Sequence, residues 1–239
     1  MGCSGPVAPL PRHDFADPPA LAEALAAAVA ARLRGAIAAR GTASLALSGG
    51  RTPERFFTAL AKQPLTWADV VVTLVDDRWV ALDDERSNEA LLRRRLLQGP
   101  ASAARLIGLV TGAASPEEGL GEVARRVAGL PLPLDAVVLG MGTDGHTASF
   151  FPGGDRLAEA LDPAGGLAVL PMHAPGAGEA RITLALPLIL AAARVYLHIE
   201  GAEKAAALEA ALEEGPPEEM PLRAVLRGRI TPPEVYWCP

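Results

Sequence analysis

The residues best equipped for chemistry are His146 and Asp144, set in "VVLGMGTDGHTASFFPGG" (137–154), where an apolar run opens into Gly140, Gly142 and Gly145. Histidine is the side chain best suited to proton transfer near neutral pH, and a carboxylate beside it fixes its tautomer or raises its basicity. Asp144 is one candidate for that carboxylate. Asp76, at the end of another apolar run, is the second. The glycines read as room for a backbone that presents these side chains, and Gly142 is counted among the residues that meet a ligand. "GMGTDG" also satisfies the dinucleotide pattern G-x-G-x-x-G. That pattern needs a full helix from its last glycine, whereas "HTASFF" runs into Pro152, Gly153 and Gly154 within two turns, so no nucleotide cofactor is expected.

A second constellation is "LALSGGRTPERFF" (45–57). A strand ending at Ser48 is followed by Gly49 and Gly50, which let backbone approach a ligand. Arg51 and Thr52 come next, Thr52 placed to cap a helix whose first turn Pro53 fits. Amides and the positive end of a helix then point at one spot, where an anion such as phosphate is the natural occupant. A plain strand-to-helix turn would need the same glycines. A degenerate nucleophile elbow with Ser48 as nucleophile is a rival, but G-x-S-x-G is not met because Ala46 stands at its first position.

The third is "VDDRWVALDDERSNEALL" (75–92), in which Asp76, Asp77 and Arg78 end a buried strand and can project into a cleft. Paired acid and arginine can orient a substrate hydroxyl or stabilise developing charge. A solvated strand end with a surface salt bridge would read the same way. "DDER" (83–86) reads as a loop feeding a helix that Ser87 caps. Two single cations complete the set: Arg181 in a strand-like run, and Lys204 in the first turn of a helix, where a cation opposes the helix dipole and so points to a ligand anion.

These groups need a frame. Residues 43–48, 70–76, 134–140 and 194–200 are short runs rich in β-branched residues that read as buried strands, and "ARITLALP" (180–187) as a further one. Helices are expected over 19–40, 53–61, 87–97, 116–128 and 202–213, between or after the strands. Alternation of this kind implies parallel crossovers, hence a doubly wound, Rossmann-like α/β domain: a mostly parallel sheet with helices on both faces and ligands at the carboxyl ends of the strands. One domain over 1–239 is expected, with the Pro- and Gly-rich stretch 163–178 as surface connections inside it.

Composition narrows the function classes. Hydrophobic residues make up 50% and aromatics 4%, so the core is aliphatic. The net charge of -6, with no basic cluster beyond "LRRRLL" (92–97), argues against nucleic acid, and any bound phosphate should be held by a few placed cations. Cys3 and Cys238 lack metal-ligand or CxxC spacing and read as free thiols in a reducing compartment. No run suits a spanning helix or a signal peptide, and Pro6 stands where a myristoylation signal at Gly2 would want Ser or Thr, so a cytoplasmic protein with no membrane partner is expected.

Taken in order, "SGGRTP", "DDRWV" with its following "SN", "GMGTDGHTASFFPG", "RIT" and "EGAEK" resemble the 6-phosphogluconolactonase family from Ser48 to Lys204. That family shares a superfamily with the glucosamine-6-phosphate deaminases, which typically continue "DGH" with "IAFNEP". Here "TASFFP" follows, without the glutamate used in amino-sugar chemistry. The family commonly shows Asp-Glu-Arg where this chain has Asp76, Asp77 and Arg78, which leaves the role of the second acid open. The resemblance implies a hydrolase free of metal and cofactor, opening 6-phosphogluconolactone in the pentose phosphate pathway. His146 would activate water, Asp144 or Asp76 would orient it, and Arg78 would bind substrate or oxyanion. The 48–52 amides, Arg181 and Lys204 would hold the phosphate. A monomer or small homo-oligomer is expected. The alternatives are a deaminase-like enzyme and a non-catalytic sugar-phosphate sensor; the retained His146 and Asp144 speak against the sensor, and in 239 residues no DNA-binding segment of the kind such sensors usually carry is expected beside this domain.

Overall fold

The computed structural model describes residues 9–239, so the readings that concern Gly2, Cys3 and Pro6 lie outside the described residues. The chain opens with a short edge strand β1 (Arg12–Asp14) and a 23-residue helix α1 (Pro18–Arg40). Asp17 caps that helix by accepting the Ala20 amide at 2.8 Å, proline occupies its first turn, and Gly41 ends it at φ 75. Its buried residues, among them Leu21, Leu25, Val29 and Leu33, recur every three or four positions. Along this stripe α1 packs on the sheet and against α2 (Glu54–Ala61).

Seven strands form one all-parallel sheet. In spatial order they are β1, β10 (Glu234–Cys238), β9 (Val195–Glu200), β6 (Ala136–Leu139), β2 (Ala43–Leu47), β3 (Val70–Leu74) and β5 (Arg105–Ile107). Every residue of β2, β3 and β6 is buried, so both faces are covered, as parallel sheets require. The expected strands are the middle four. The three at the edges were not anticipated, although "EVYWC" in β10 carries residues that strands favour. Helices α3 (Asn88–Arg95), α4 (Pro116–Ala128) and α7 (Ala202–Leu212) stand where the sequence places them. The short α5 (Leu157–Leu161), α6 (Leu186–Ala191) and α8 (Leu222–Gly228) are additions.

Two expectations need correction. The run 70–76 is not one strand: β3 stops at Leu74 and the chain crosses into a second, antiparallel sheet of β4 (Asp76–Arg78), β8 (Arg181–Leu184) and β7 (Val169–Met172). Val75 is the joint. Its amide reaches Leu47 O in the large sheet at 2.9 Å, and its carbonyl accepts from Leu184 N in the small one at 2.8 Å. The stretch 163–178 is likewise more than surface connection, because it contains β7, whose four residues are all buried. The small sheet stands beside the carboxyl ends of β2 and β6 and makes the second wall of a cleft.

Candidate active site

Backbone from the large sheet forms one wall. Ser48 N donates to Val138 O at 2.9 Å and Ser48 Oγ accepts from Gly140 N at 3.1 Å, which pins the ends of β2 and β6 together. The hydroxyl that the elbow reading would make a nucleophile is therefore engaged in structure. Gly49 passes so close to Asn88 that a Cβ there would overlap its side-chain amide, which in turn donates to Asp76 O at 3.0 Å. Thr52 does not cap the helix as expected: α2 starts one residue later, with Pro53 as its cap residue and no side-chain bond. Ser48, Gly49, Gly50, Arg51 and Thr52 nonetheless all line the cleft.

The loop after β6 carries His146 and Asp144. His146 Nδ1 lies 2.6 Å from Asp144 Oδ1, the same oxygen that takes the His146 amide at 3.1 Å. A carboxylate only accepts, so Nδ1 carries the proton and the Nε2 lone pair is left for a reactant. Of the two acids proposed to orient the imidazole, Asp144 is the one that touches it. Gly142 is required here because a Cβ would overlap both the imidazole and the Asp144 carboxylate. Phe151 supports the ring from its other side, with centroids 4.4 Å apart and planes 31° apart.

Charged side chains of the small sheet form the opposite wall. Strand alternation turns Asp76 and Arg78 to one side and Asp77 to the other. Asp76, buried, accepts from Ser149 Oγ at 2.6 Å and lines the cleft. Directly across the register, Arg78 pairs with Arg181, and two guanidiniums set opposite one another repel unless an anion joins them. Arg78 reaches Glu179 at 3.4 Å and the Arg86 carbonyl at 2.7 Å. Arg181 is 9% exposed, donates to Ala177 O at 2.7 Å, stacks over Phe151 and leaves Nε without a partner among the described residues. Burial lowers its pKa from the ordinary guanidinium value.

Asp77 does not line the cleft. Its carboxylate accepts the amides of Asn88 at 2.7 Å, Glu89 at 3.0 Å and Arg78 at 2.8 Å, so it anchors the start of α3. Burial pushes its pKa up to about 7 against the pull of those three amides. The shortening from glutamate is thus felt at a helix end, away from any substrate.

Lys204, third residue of α7, enters from the end of β9. Burial pulls its pKa below the usual ammonium range, opposed by the nearby Glu200 carboxylate. Together the two walls enclose about 460 Å³, enough for a sugar phosphate. Sequence reasoning missed Asn88, Phe151 and His198 as lining residues; "SN" at 87–88 was the available signal for the first.

The family model for glucosamine-6-phosphate isomerases/6-phosphogluconolactonase matches residues 16–237. The chain belongs to this family. It is 51% identical over 227 residues to the 6-phosphogluconolactonase of Rhizobium meliloti (strain 1021), covering 95% of this chain and 98% of the relative. Against the Pseudomonas putida 6-phosphogluconolactonase identity is 44%, with 95% and 92% covered. A crystal structure of a 6-phosphogluconolactonase from Shewanella baltica OS155 superposes with TM-score 0.94 at 40% identity, covering 98% of this chain and all of that one. The cleft just described gathers His146, Asp76, Arg78, Arg181 and Lys204 along its lining, with Asp144 bonded to His146 behind it, and leaves Asp77 outside.

Proposed function

We infer that the protein hydrolyses 6-phospho-D-glucono-1,5-lactone to 6-phosphogluconate, the reaction named for its relatives, within the oxidative pentose phosphate pathway. Membership of the family over nearly the whole chain supports the reaction. The Asp144–His146 bond at 2.6 Å carries the mechanism.

His146 Nε2 takes a proton from water as its oxygen attacks the lactone carbonyl carbon. The carbonyl π electrons move to oxygen, giving a tetrahedral oxyanion that Arg78 stabilises. Collapse breaks the ring ester bond, and the imidazolium returns its proton to the leaving ring oxygen, yielding acid and hydroxyl. Asp144 keeps the proton of the resting imidazole on Nδ1 and steadies the imidazolium. Asp76, held by Ser149, presents its free oxygen to a substrate hydroxyl. The 48–52 amides with Lys204 and Arg181, one cation from each wall, hold the 6-phosphate and repay the cost of keeping those cations partly desolvated. No metal or cofactor enters this scheme.

The same reading takes the protein as cytoplasmic, a monomer or small homo-oligomer, with no nucleic-acid or membrane partner. The acidic net charge supports the first exclusion, and no described helix is long and apolar enough to cross a membrane.

Acid release from freshly generated 6-phosphogluconolactone, measured above the spontaneous rate with chelator present, tests the reading. Glucono-1,5-lactone and glucosamine-6-phosphate serve as controls. Fast turnover confined to the phosphorylated lactone is expected. Equal kcat/KM for both lactones would contradict the phosphate site, and ammonia release from glucosamine-6-phosphate would contradict the reaction.

A further inference from the structure

His198 belongs to no step above, yet it is 3% exposed and lines the same cleft as Lys204. It shares one face of β9 with Glu200, two residues on, and its Nε2 lies 3.0 Å from Glu200 Oε1. Because the carboxylate can only accept, Nε2 carries the proton, and Nδ1 is left buried with no partner among the described residues. An unpaired buried acceptor weakens a fold, and with the Phe56 ring packed edge-on, centroids 6.1 Å apart, an apolar side chain would fill the position without that cost. The bond to Glu200 is what a hydrophobic residue could not supply.

Lys204 follows on the next turn of chain, beyond Gly201 at φ 92. Glu200 is near enough for its charge to be felt there. It nonetheless makes its bond to His198, and Lys204 forms no ion pair with any described residue. A lysine closed by its own carboxylate would have to break that pair before taking a phosphate. A lysine beside a tethered carboxylate stays open.

We propose that His198 is a positioning residue that tethers Glu200 away from Lys204, keeping the ammonium free for the phosphate of the substrate. This rests on the phosphate site described under Proposed function. In the proposal, removing the imidazole lets Glu200 close on Lys204 and compete with the ligand. The defect must therefore vanish once Glu200 is neutral.

The test is calorimetric binding of 6-phosphogluconate, with kcat and KM for the lactone, on His198→Leu, His198→Gln, Glu200→Gln and the double variant His198→Leu/Glu200→Gln. His198→Leu should raise Kd and KM roughly fivefold, the upper size of one competing surface ion pair, with kcat within about twofold and melting temperature unchanged or higher. His198→Gln, which keeps a donor within reach of Glu200, should bind within about twofold of the parent. The double variant should bind as Glu200→Gln does. If His198→Leu fails to fold, His198→Asn, too short to reach Glu200, is held to the same prediction. Parental affinity in His198→Leu, or a double variant as far below Glu200→Gln as His198→Leu is below the parent, would overturn the tether. Lys204→Ala separates the two ideas: weakened 6-phosphogluconate binding there with an unaffected His198→Leu sinks only the tether. Unaffected Lys204→Ala sinks the phosphate site and the tether together.

Discussion

The two walls of the cleft are built by different physics. On the large sheet, backbone does the work: loops at the ends of β2 and β6 approach so closely that Gly49 and Gly142 admit no Cβ, and His146 is fixed by its own loop. On the small sheet, charged side chains do it: buried Asp76 and Arg181 and half-buried Arg78 project from paired strands, and their positions depend on strand register. The first wall is an arrangement of local geometry. The second is an arrangement of charge, partly desolvated, that in the proposed function a substrate anion completes.

Substitutions can break this contrast. The largest effect should come from crowding the backbone wall: Gly142→Ala forces a methyl into the space of the imidazole and the Asp144 carboxylate, and a displacement near 1 Å costs on the order of 100-fold in kcat. Steady-state kinetics on the folded variant checks this, and a kcat within threefold of the parent would mean the loop is not held as described. On the charged wall, Arg181→Ala should act mainly through binding, raising KM for the phosphorylated lactone by roughly 10- to 100-fold, the worth of a charged hydrogen bond, while leaving the unphosphorylated lactone nearly unchanged. An equal loss on both lactones would remove Arg181 from the phosphate site.

Asp77 sharpens the contrast, since it is the charged residue of β4 that faces away from substrate. Asp77→Ala strips the acceptor from three amides and should lower stability by about 1–3 kcal/mol in denaturant unfolding, with kcat of the folded fraction close to parental. The same residue makes a pH prediction. An acid whose pKa is raised from 3.8 to about 7 by burial holds its proton more tightly in the fold, so its contribution to stability is full below about pH 4 and is lost as pH rises through 7. The melting temperature of the parent should fall over that window relative to Asp77→Asn, in which the titrating group is gone. Parallel pH profiles would refute the burial effect.

The same contrast explains what was legible in the sequence. Glycine spacing and a strand-end histidine are local signals, so the backbone wall and the middle strands β9, β6, β2 and β3 could be read directly. The residues of those strands are apolar because both faces are covered, and that leaves an unbroken run. The small sheet left almost no trace. β4 is three charged residues, β7 contains Pro171, and β4 pairs with a strand more than 100 positions away. No periodicity within a short window reports such a register, which is why Asp77 looked equivalent to its neighbours and the 163–178 stretch looked like surface. Thr52 was misplaced by one residue for a smaller reason: Pro53 fits a cap position as well as a first turn. His198 sat inside an apolar strand where only three-dimensional neighbours distinguish it from filler.

The central claim is that His146, oriented by Asp144, activates the water that opens the lactone. The most direct test is hydrolysis of freshly generated 6-phosphogluconolactone by the parent protein and His146→Ala side by side, with 6-phosphogluconate affinity measured on both. The account predicts a roughly 100-fold or greater loss of turnover in the variant with product affinity little changed. Near-parental turnover by His146→Ala would contradict it, and would do so most plainly if an acyl group were then trapped on Ser48.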